Sequence, residues 1–528
     1  MVMTWGQFLD HDLTLTEFTV GVNPQLDCGT SQEPCPSLIE KPFCFGVNIS
    51  SRVRLSGDPL ARCTPLVRSE QNSHGNQINE ITAYLDGSQV YGSDLETAKS
   101  LRFFKLGLLI VEPFINSSDL PILPAQESVG GEAGFCRSND TETQPCFRAG
   151  DPRVNENQAL MAMHALWVRE HNRIAKHLFT LNPSWKDEKL YQEARRIVGA
   201  MLQHITYNEW LPTLIPSQRL RRKAGVALEA DGTFSNDYAP EINSTIINSF
   251  ATAGLRIGHT LIRENFTVSS GVDLIDQLSQ SPVDFFNPGP LNDPNLGVNP
   301  YTGLYLGLAG IRAGEFDRNI ADAVRERLII PGPDGGFFGD LAAINMQRGR
   351  DHGLPGYIQF STLCGGPVAR GYNFNGLKNI LSSQRRRLAR AYKTVEDIDL
   401  FAGLLSERNL RGSELGLTTT CLMLAQFSRT RRGDRFWYER NDTLTGFTIE
   451  QLTEIRKASL ARVICDNSDD VTTIQPEVFK RSIIHSPNDD VPCRHLPFVN
   501  LNVFKESAKY SGAPKFSRSG GFGGNVAA

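Results

Sequence analysis

The sequence predicts a mainly α-helical protein, folded as one large, loop-rich domain with few short strands and disulfide links. Three observations carry that expectation. Apolar residues recur at spacings of three, four and seven over several long segments, as on one face of a helix. Few stretches alternate apolar and polar residues, so little sheet is expected. Ten cysteines, Cys28, Cys35, Cys44, Cys63, Cys136, Cys146, Cys364, Cys421, Cys465 and Cys493, occur without a CxxC pair, a poor zinc pattern and a fair disulfide pattern.

In chain order, residues 1–20 read as the end of a buried helix running into a polar turn. Residues 21–75 read as loop, punctuated by Pro, Gly and four cysteines. Gln77 to Lys105 reads as helical around an Asp-Gly-Ser break, and 112–150 as irregular. The longest helix signal runs from Asn155 to Leu178, where Leu160, Met163, Trp167, Ile174 and Leu178 share a face. Lys189 to Leu214 repeats the pattern up to Pro212. Ile246 to Ile262 is mostly apolar and reads as a buried helix. Residues 268–300 read as Pro/Gly/Asn-rich loop, and helical patterns return at 317–329, 375–391, 394–406 and 448–463. The domain is expected to span 1–505, and 506–528, Gly/Ser-rich after Tyr510, to be a disordered tail.

Composition excludes several functions. Fifty-four Lys and Arg against 58 Asp and Glu give a net charge of −4, without the basic excess of a nucleic-acid protein. At 528 residues and 40% hydrophobic, the chain is too apolar for a disordered one. No window reaches the roughly 18 apolar residues of a membrane span. Sequons at Asn48, Asn116, Asn139, Asn243, Asn265 and Asn441, with the cysteines, favour a secretory compartment. The opening MVMTWGQFLDHD is no signal peptide, so one is expected upstream of an N-terminally truncated domain.

Five polar strings stand out. In Trp5-Gly6-Gln7-Phe8-Leu9-Asp10-His11-Asp12, a His flanked by two Asp sits on an otherwise apolar helix, where each polar group needs a partner. In Thr82-Ala83-Tyr84-Leu85-Asp86-Gly87-Ser88, side-chain oxygens of Thr82, Asp86 and Ser88 and the Tyr84 carbonyl could face one hard cation such as Ca²⁺. In Arg148-Ala149-Gly150-Asp151-Pro152-Arg153-Val154-Asn155-Glu156, Asp151 can cap a helix that begins at Pro152. Arg153 and Glu156 then share a face, and Arg153 is a permanent cation. In Arg256-Ile257-Gly258-His259, the glycine leaves room for a flat group to approach the helix. The string from Asn345 to Gly353 is dense in polar groups within a core-like region.

Together, in this order, these strings resemble the animal branch of the haem peroxidase and cyclooxygenase superfamily, from residue 1 to about 505. MHALWVREHNRIA (163–175), LYQEARRIVGAMLQHITYNEWLP (190–212), INMQRGRDHGLPGY (344–357) and GDRFWYE (433–439) extend the resemblance. It implies a haem peroxidase that reduces hydrogen peroxide and oxidises halide, thiocyanate, phenolic or tyrosyl donors through a ferryl intermediate. His11 is then the distal histidine, Gln7 its pocket neighbour and Arg153 the distal arginine. His259 is the iron ligand, donating through its other nitrogen to Asn345, and Arg256 and Arg348 partner the haem propionates. Asp10 and Glu156 stand where the family forms esters to haem b. Asp12, Thr82, Tyr84, Asp86 and Ser88 form a calcium site.

The resemblance also implies disulfides Cys136–Cys146, Cys364–Cys421 and Cys465–Cys493, leaving Cys28, Cys35, Cys44 and Cys63 to pair in an order left open. It treats His164 and His171 as packing and hydrogen-bonding residues, and His352 as satisfying its neighbours. Asn157 replaces a Met that forms a third haem link in some members, which favours bromide, iodide, thiocyanate or organic donors over chloride. Two alternatives remain. A fatty-acid dioxygenase needs a tyrosine one turn before the iron ligand, where this chain has Arg256. A peroxinectin-like adhesion protein would bind integrin through Arg432-Gly433-Asp434.

Overall fold

The computed structural model describes residues 1–16, 28, 33–50, 62–113, 120–126, 136, 145–269, 274–275, 285–291, 299–326, 328, 339–442, 444–468 and 471–506. The tail expectation lies outside these residues, apart from Glu506. The described fold is mainly helical. Its strands are three antiparallel two-residue pairs, Val47–Asn48 with Cys63–Thr64, Val268–Ser269 with Leu274–Ile275, and Thr473–Ile474 with Val491–Pro492.

Seven helices frame the interior. They are α1 (Val2–Leu13), α2 (Gln158–Leu181), α3 (Asp187–Ile205), α4 (Pro300–Gly310), α5 (Leu341–Asp351), α6 (Ser382–Ala391) and α7 (Leu417–Arg432). α2 is the central element, with both faces largely buried, and it packs against α1, α3 and α4. α1 presses Trp5, Phe8, Leu9 and Leu13, all fully buried, into the same core. Trp210 Nε1 donates to the Val2 carbonyl at 3.0 Å, and the Gly6 backbone passes close beneath the Trp210 ring.

The longest expected helices are present. The 155–178 signal becomes α2, preceded by a 3₁₀ turn at Pro152–Asn155 that Asp151 caps. The 189–214 signal becomes α3 followed by a π-turn, Thr206–Trp210, and a final turn, Leu211–Leu214. Pro212 explains the widened turn, because it has no N–H to donate to the carbonyl four residues back. The buried helix at 246–262 is likewise irregular, a π-turn at Phe250–Gly254 and a 3₁₀ turn at Leu255–Leu261.

Other segments differ from expectation. Residues 77–87 are not helical, and only Ser88–Tyr91 and Leu95–Ser100 are, because the 82–87 stretch turns its polar groups inward. The 448–463 helix breaks into Ile449–Ile455 and Leu460–Asp466, the second capped by Ser459. Helix α4 was hidden by its glycines, yet Asn299 caps it and Pro300 opens it. Helices α5 and α7 also lie outside the expected helical segments.

All five disulfides close. The three implied by the resemblance are present, and the open set resolves as Cys28–Cys44 and Cys35–Cys63. No described helix is long and apolar enough to cross a membrane.

Candidate active site

His11 lies in the last turn of α1 and is 2% exposed. Its Nδ1 stands 3.7 Å from Asp151 Oδ1 and its Nε2 3.6 Å from Glu156 Oε2. Nδ1 has no hydrogen-bond partner among the described residues. Burial, and then the Arg153 charge, push the ring's pKa well below its ordinary value despite Asp151, so it is a neutral imidazole.

Asp151 grips Arg153. Its Oδ1 accepts from the Arg153 backbone N–H and Nε, each at 2.9 Å, and its Oδ2 accepts from Nη2 at 2.7 Å. Nη1 is left turned towards Asp10 Oδ2, 3.6 Å away. Burial opposes charge on Arg153, but Asp151, Asp10 and Glu156 outweigh it and hold its pKa above the ordinary value. Burial would raise Asp151 too, yet Arg153 and His11 hold it at about 2. Glu156 has no such clamp, and burial, only partly opposed by Arg153, pushes it up to about 7. Burial likewise raises Asp10. Gln7 Oε1 accepts from Asn157 Nδ2 at 2.9 Å, while Asn157 Oδ1 caps α2 through the Leu160 N–H.

The second imidazole, His259, sits in the 255–261 turn, which packs against both α1 and the 250–254 turn. Asn345, from α5 and fully buried, places Nδ2 at 2.8 Å from His259 Nδ1. The expected contact is there, but its orientation is reversed. Asn345 Oδ1 accepts from Arg256 Nη1 at 3.2 Å, so the amide nitrogen, not the oxygen, faces the ring. His259 Nε2 has no hydrogen-bond partner among the described residues, and burial followed by the Arg256 charge lowers the ring's pKa to about 3. A Cβ built on Gly258, the residue before the ring, would meet no described atom within 4 Å.

The propionate candidates divide. Arg256 is held by the Ala251 carbonyl as well as by Asn345, and burial lowers its pKa to about 10. Asp10, Arg153 and Glu156 all act on its charge, which puts the His259 segment beside the His11 group. Nη1 of Arg348 is already committed to the Val67 carbonyl, Ser69 Oγ and Asp351 Oδ2 at 2.8–2.9 Å.

The 82–88 turn meets α1 at Asp12, which is fully buried. Asp12 accepts from the N–H groups of Gly87 and Ser88 at 3.2 and 2.7 Å and from Ser88 Oγ at 2.8 Å. Asp86 Oδ1 accepts from Thr82 Oγ1 at 2.9 Å and from the Ser88 N–H at 3.1 Å. Tyr84 lies on the same turn, half-buried. Gly87 has φ +77°, a conformation that glycine adopts without strain and that lets the turn fold back onto Asp12. Burial, and for Asp12 also the Asp86 charge, raises both carboxyls. Burial thus disfavours the charged form of both carboxyls, and at Asp86 the Arg195 charge opposes it. Among the described residues, no group of three or more His, Cys, Asp or Glu side chains is set to hold a metal, and this turn offers two carboxylates with hydroxyls.

A buried His–Arg–carboxylate group thus stands near a second imidazole, whose turn packs against α1, on a helical scaffold. The sequence matches the animal haem peroxidase family over residues 1–479. It is 38% identical to the mouse peroxidasin homolog, covering 96% of this chain and 34% of that protein. It is 35% identical to mouse eosinophil peroxidase, covering 96% and 69%. Peroxidase A of Dictyostelium discoideum superposes with a TM-score of 0.70 at 26% identity, covering 90% of this chain and 86% of that one. Rice fatty acid alpha-dioxygenase shares the fold alone, with a TM-score of 0.62 at 17% identity over 88% of this chain and 73% of that one. The chain belongs to the animal haem peroxidase family, and haem is the prosthetic group that family implies. It spans about a third of the length of the peroxidasin relatives.

Neither alternative is favoured. Arg256 occupies the place the dioxygenase reading needs for tyrosine. Asp434 is 5% exposed, and its carboxylate accepts from the Phe436 N–H and Gln203 Nε2, so the Arg-Gly-Asp string is not presented to a receptor. His171 does hydrogen-bond, to Tyr91 and the Gly107 carbonyl, and His352 does so with Ser69, Thr252 and Asn248. His164 packs edge-on to Phe8 and lies against the Gln89 backbone. Two site residues escaped the sequence reading, Asp151, taken only as a cap, and Asn157, taken only as a missing Met. The Asp-x-Arg spacing in the capping turn was the available signal for the first.

Proposed function

We propose that this chain is a secreted haem peroxidase that reduces hydrogen peroxide and oxidises a small donor, with bromide, iodide, thiocyanate and organic donors favoured over chloride. The observation that carries the reading is the juxtaposition of neutral His11 and cationic Arg153 with a second imidazole, His259, whose turn packs against the His11 helix.

The residues fit haem. His259 would hold the iron, with Asn345 beside its Nδ1 to orient the ring, and Arg256 would partner the propionates. When bound, haem supplies the two-electron reduction of peroxide and the oxidation of donors. His11 takes a proton from one peroxide oxygen and returns it to the other, a role that needs a neutral ring at working pH. Arg153 stabilises negative charge on the departing oxygen in a site with little water. Gln7, steadied by Asn157, orients water or halide. Asp10 and Glu156 border this space and are the candidates for ester links, Glu156 being partly protonated near neutrality. Asp12, Thr82, Asp86, Ser88 and the Tyr84 carbonyl would hold Ca²⁺, whose charge would keep the two buried carboxylates ionised and fix α1 beside His11.

The disulfides and the exposed sequon residues Asn48, Asn243, Asn265 and Asn441 support secretion, while Asn116 and Asn139 lie outside the described residues. The test is His11→Ala. Haem should remain bound, and the stopped-flow rate of the peroxide-induced Soret change should fall by roughly 10²-fold or more. An unchanged rate would refute the assignment.

A further inference from the structure

We infer that Asp151 is a positioning residue of the peroxide site, clamping the Arg153 guanidinium while facing His11 Nδ1, so that both groups meet the oxidant in one fixed geometry. The inference rests on the peroxidase reading and deepens it.

Asp151 is 1% exposed, yet it is far more than a helix cap. The cap needs only the bond from the Arg153 backbone N–H. The same carboxylate also takes Nε and Nη2, one whole edge of the guanidinium, in a charge-assisted fork. That leaves Nη1 with no hydrogen bond among the described residues, 3.6 Å from Asp10. A clamped edge and a free Nη1 confine the cation's donors to one direction.

The carboxylate also stands 3.7 Å from His11 Nδ1. A negative charge there favours the tautomer with its proton on Nδ1, which puts the basic lone pair on Nε2, on the Glu156 side. Asp151 is itself held from behind. A Cβ on Gly150 would lie 2.3 Å from the Ser88 carbonyl oxygen and 2.4 Å from the Gly92 nitrogen, so the backbone leading into Asp151 is pressed onto the 88–92 turn. The turn that receives Asp12 thus also seats the clamp. One rigid element reaches His11 by two routes, through α1 and through Asp151.

The test is a double-mutant cycle in the haem-loaded protein with Asp151→Asn, Arg153→Ala and both. The readouts are the second-order rate of the peroxide-induced Soret change, the cyanide dissociation constant from Soret titration, and Tm. Asp151→Asn should slow the peroxide step by roughly 10–100-fold and weaken cyanide binding. Most of that loss should vanish in the Arg153→Ala background, because Asp151 acts largely through Arg153. Asp151→Thr keeps a capping oxygen without the clamp and gives the same cycle should Asp151→Asn not fold. A variant that lowers only Tm, or an equal loss in both backgrounds, overturns the inference. A wild-type protein without any peroxide response refutes the peroxidase reading instead.

Discussion

Neutral His11 beside charged Arg153 follows from how each side chain is surrounded. Burial alone would neutralise both; Arg153 keeps its charge because Asp151 is hydrogen-bonded to it, whereas at His11 burial and the Arg153 charge outweigh the nearby Asp151. Glu209, in the π-turn after α3, shows the same balance without a strong counter-charge. Burial pushes it up to about 8, only partly opposed by the hydrogen bond from the Leu460 N–H, with smaller effects from Glu477, which raises it, and Lys480, which lowers it. Its folded pKa lies above the unfolded one, so the folded state holds a proton that the unfolded state releases above about pH 4.5. Stability from this group is therefore lost as pH rises from about 4.5 to 8. Glu209→Gln should stabilise the protein by at least ~1 kcal/mol at pH 8 and bring no gain at pH 4.5, read as Tm against pH. A variant no more stable than wild type at pH 8 would contradict this. The site residues themselves were legible because each string is local. Asp151 facing His11 and Asn157 bonding Gln7 were not, since those pairs form only when segments about 150 residues apart meet.

At the scale of elements, apolar recurrence found α1, α2 and α3, each of which packs a long run of apolar side chains into the core. It missed α4, whose glycines let backbone pass close. Gly307 packs so tightly on the Thr267 carbonyl that a Cβ would lie 1.8 Å from it. It also misread 77–87, because the apolar residues there serve a turn and not a helix. That turn makes its own prediction. If Ca²⁺ offsets Asp12 and Asp86, a calcium chelator should lower the Tm of the wild type, since a ligand at about 100 times its Kd adds about 2.7 kcal/mol. Asp12→Ala should start lower and lose the response to chelator. Equal chelator sensitivity in both proteins would remove calcium from this turn.

For the whole molecule, the helical class, the single disulfide-linked scaffold and the family were all readable from sequence. Five long strings in fixed order fix the family more firmly than any one motif. The order of the first four cysteines was not readable, because three pairings are open to four cysteines until the backbone brings Cys28 to Cys44 and Cys35 to Cys63. The architecture brings α1, α2, α5 and the 255–261 turn to one interior region. The central claim is that haem is held there through His259, with His11 on the peroxide side.

The absorption spectrum of the haem-supplied protein, compared with that of His259→Ala, tests it most directly. The account predicts a Soret band in the wild type that shifts on adding hydrogen peroxide, and a band lost or displaced in His259→Ala. A wild type that takes up no haem, or a variant with the same spectrum as the wild type, would contradict it.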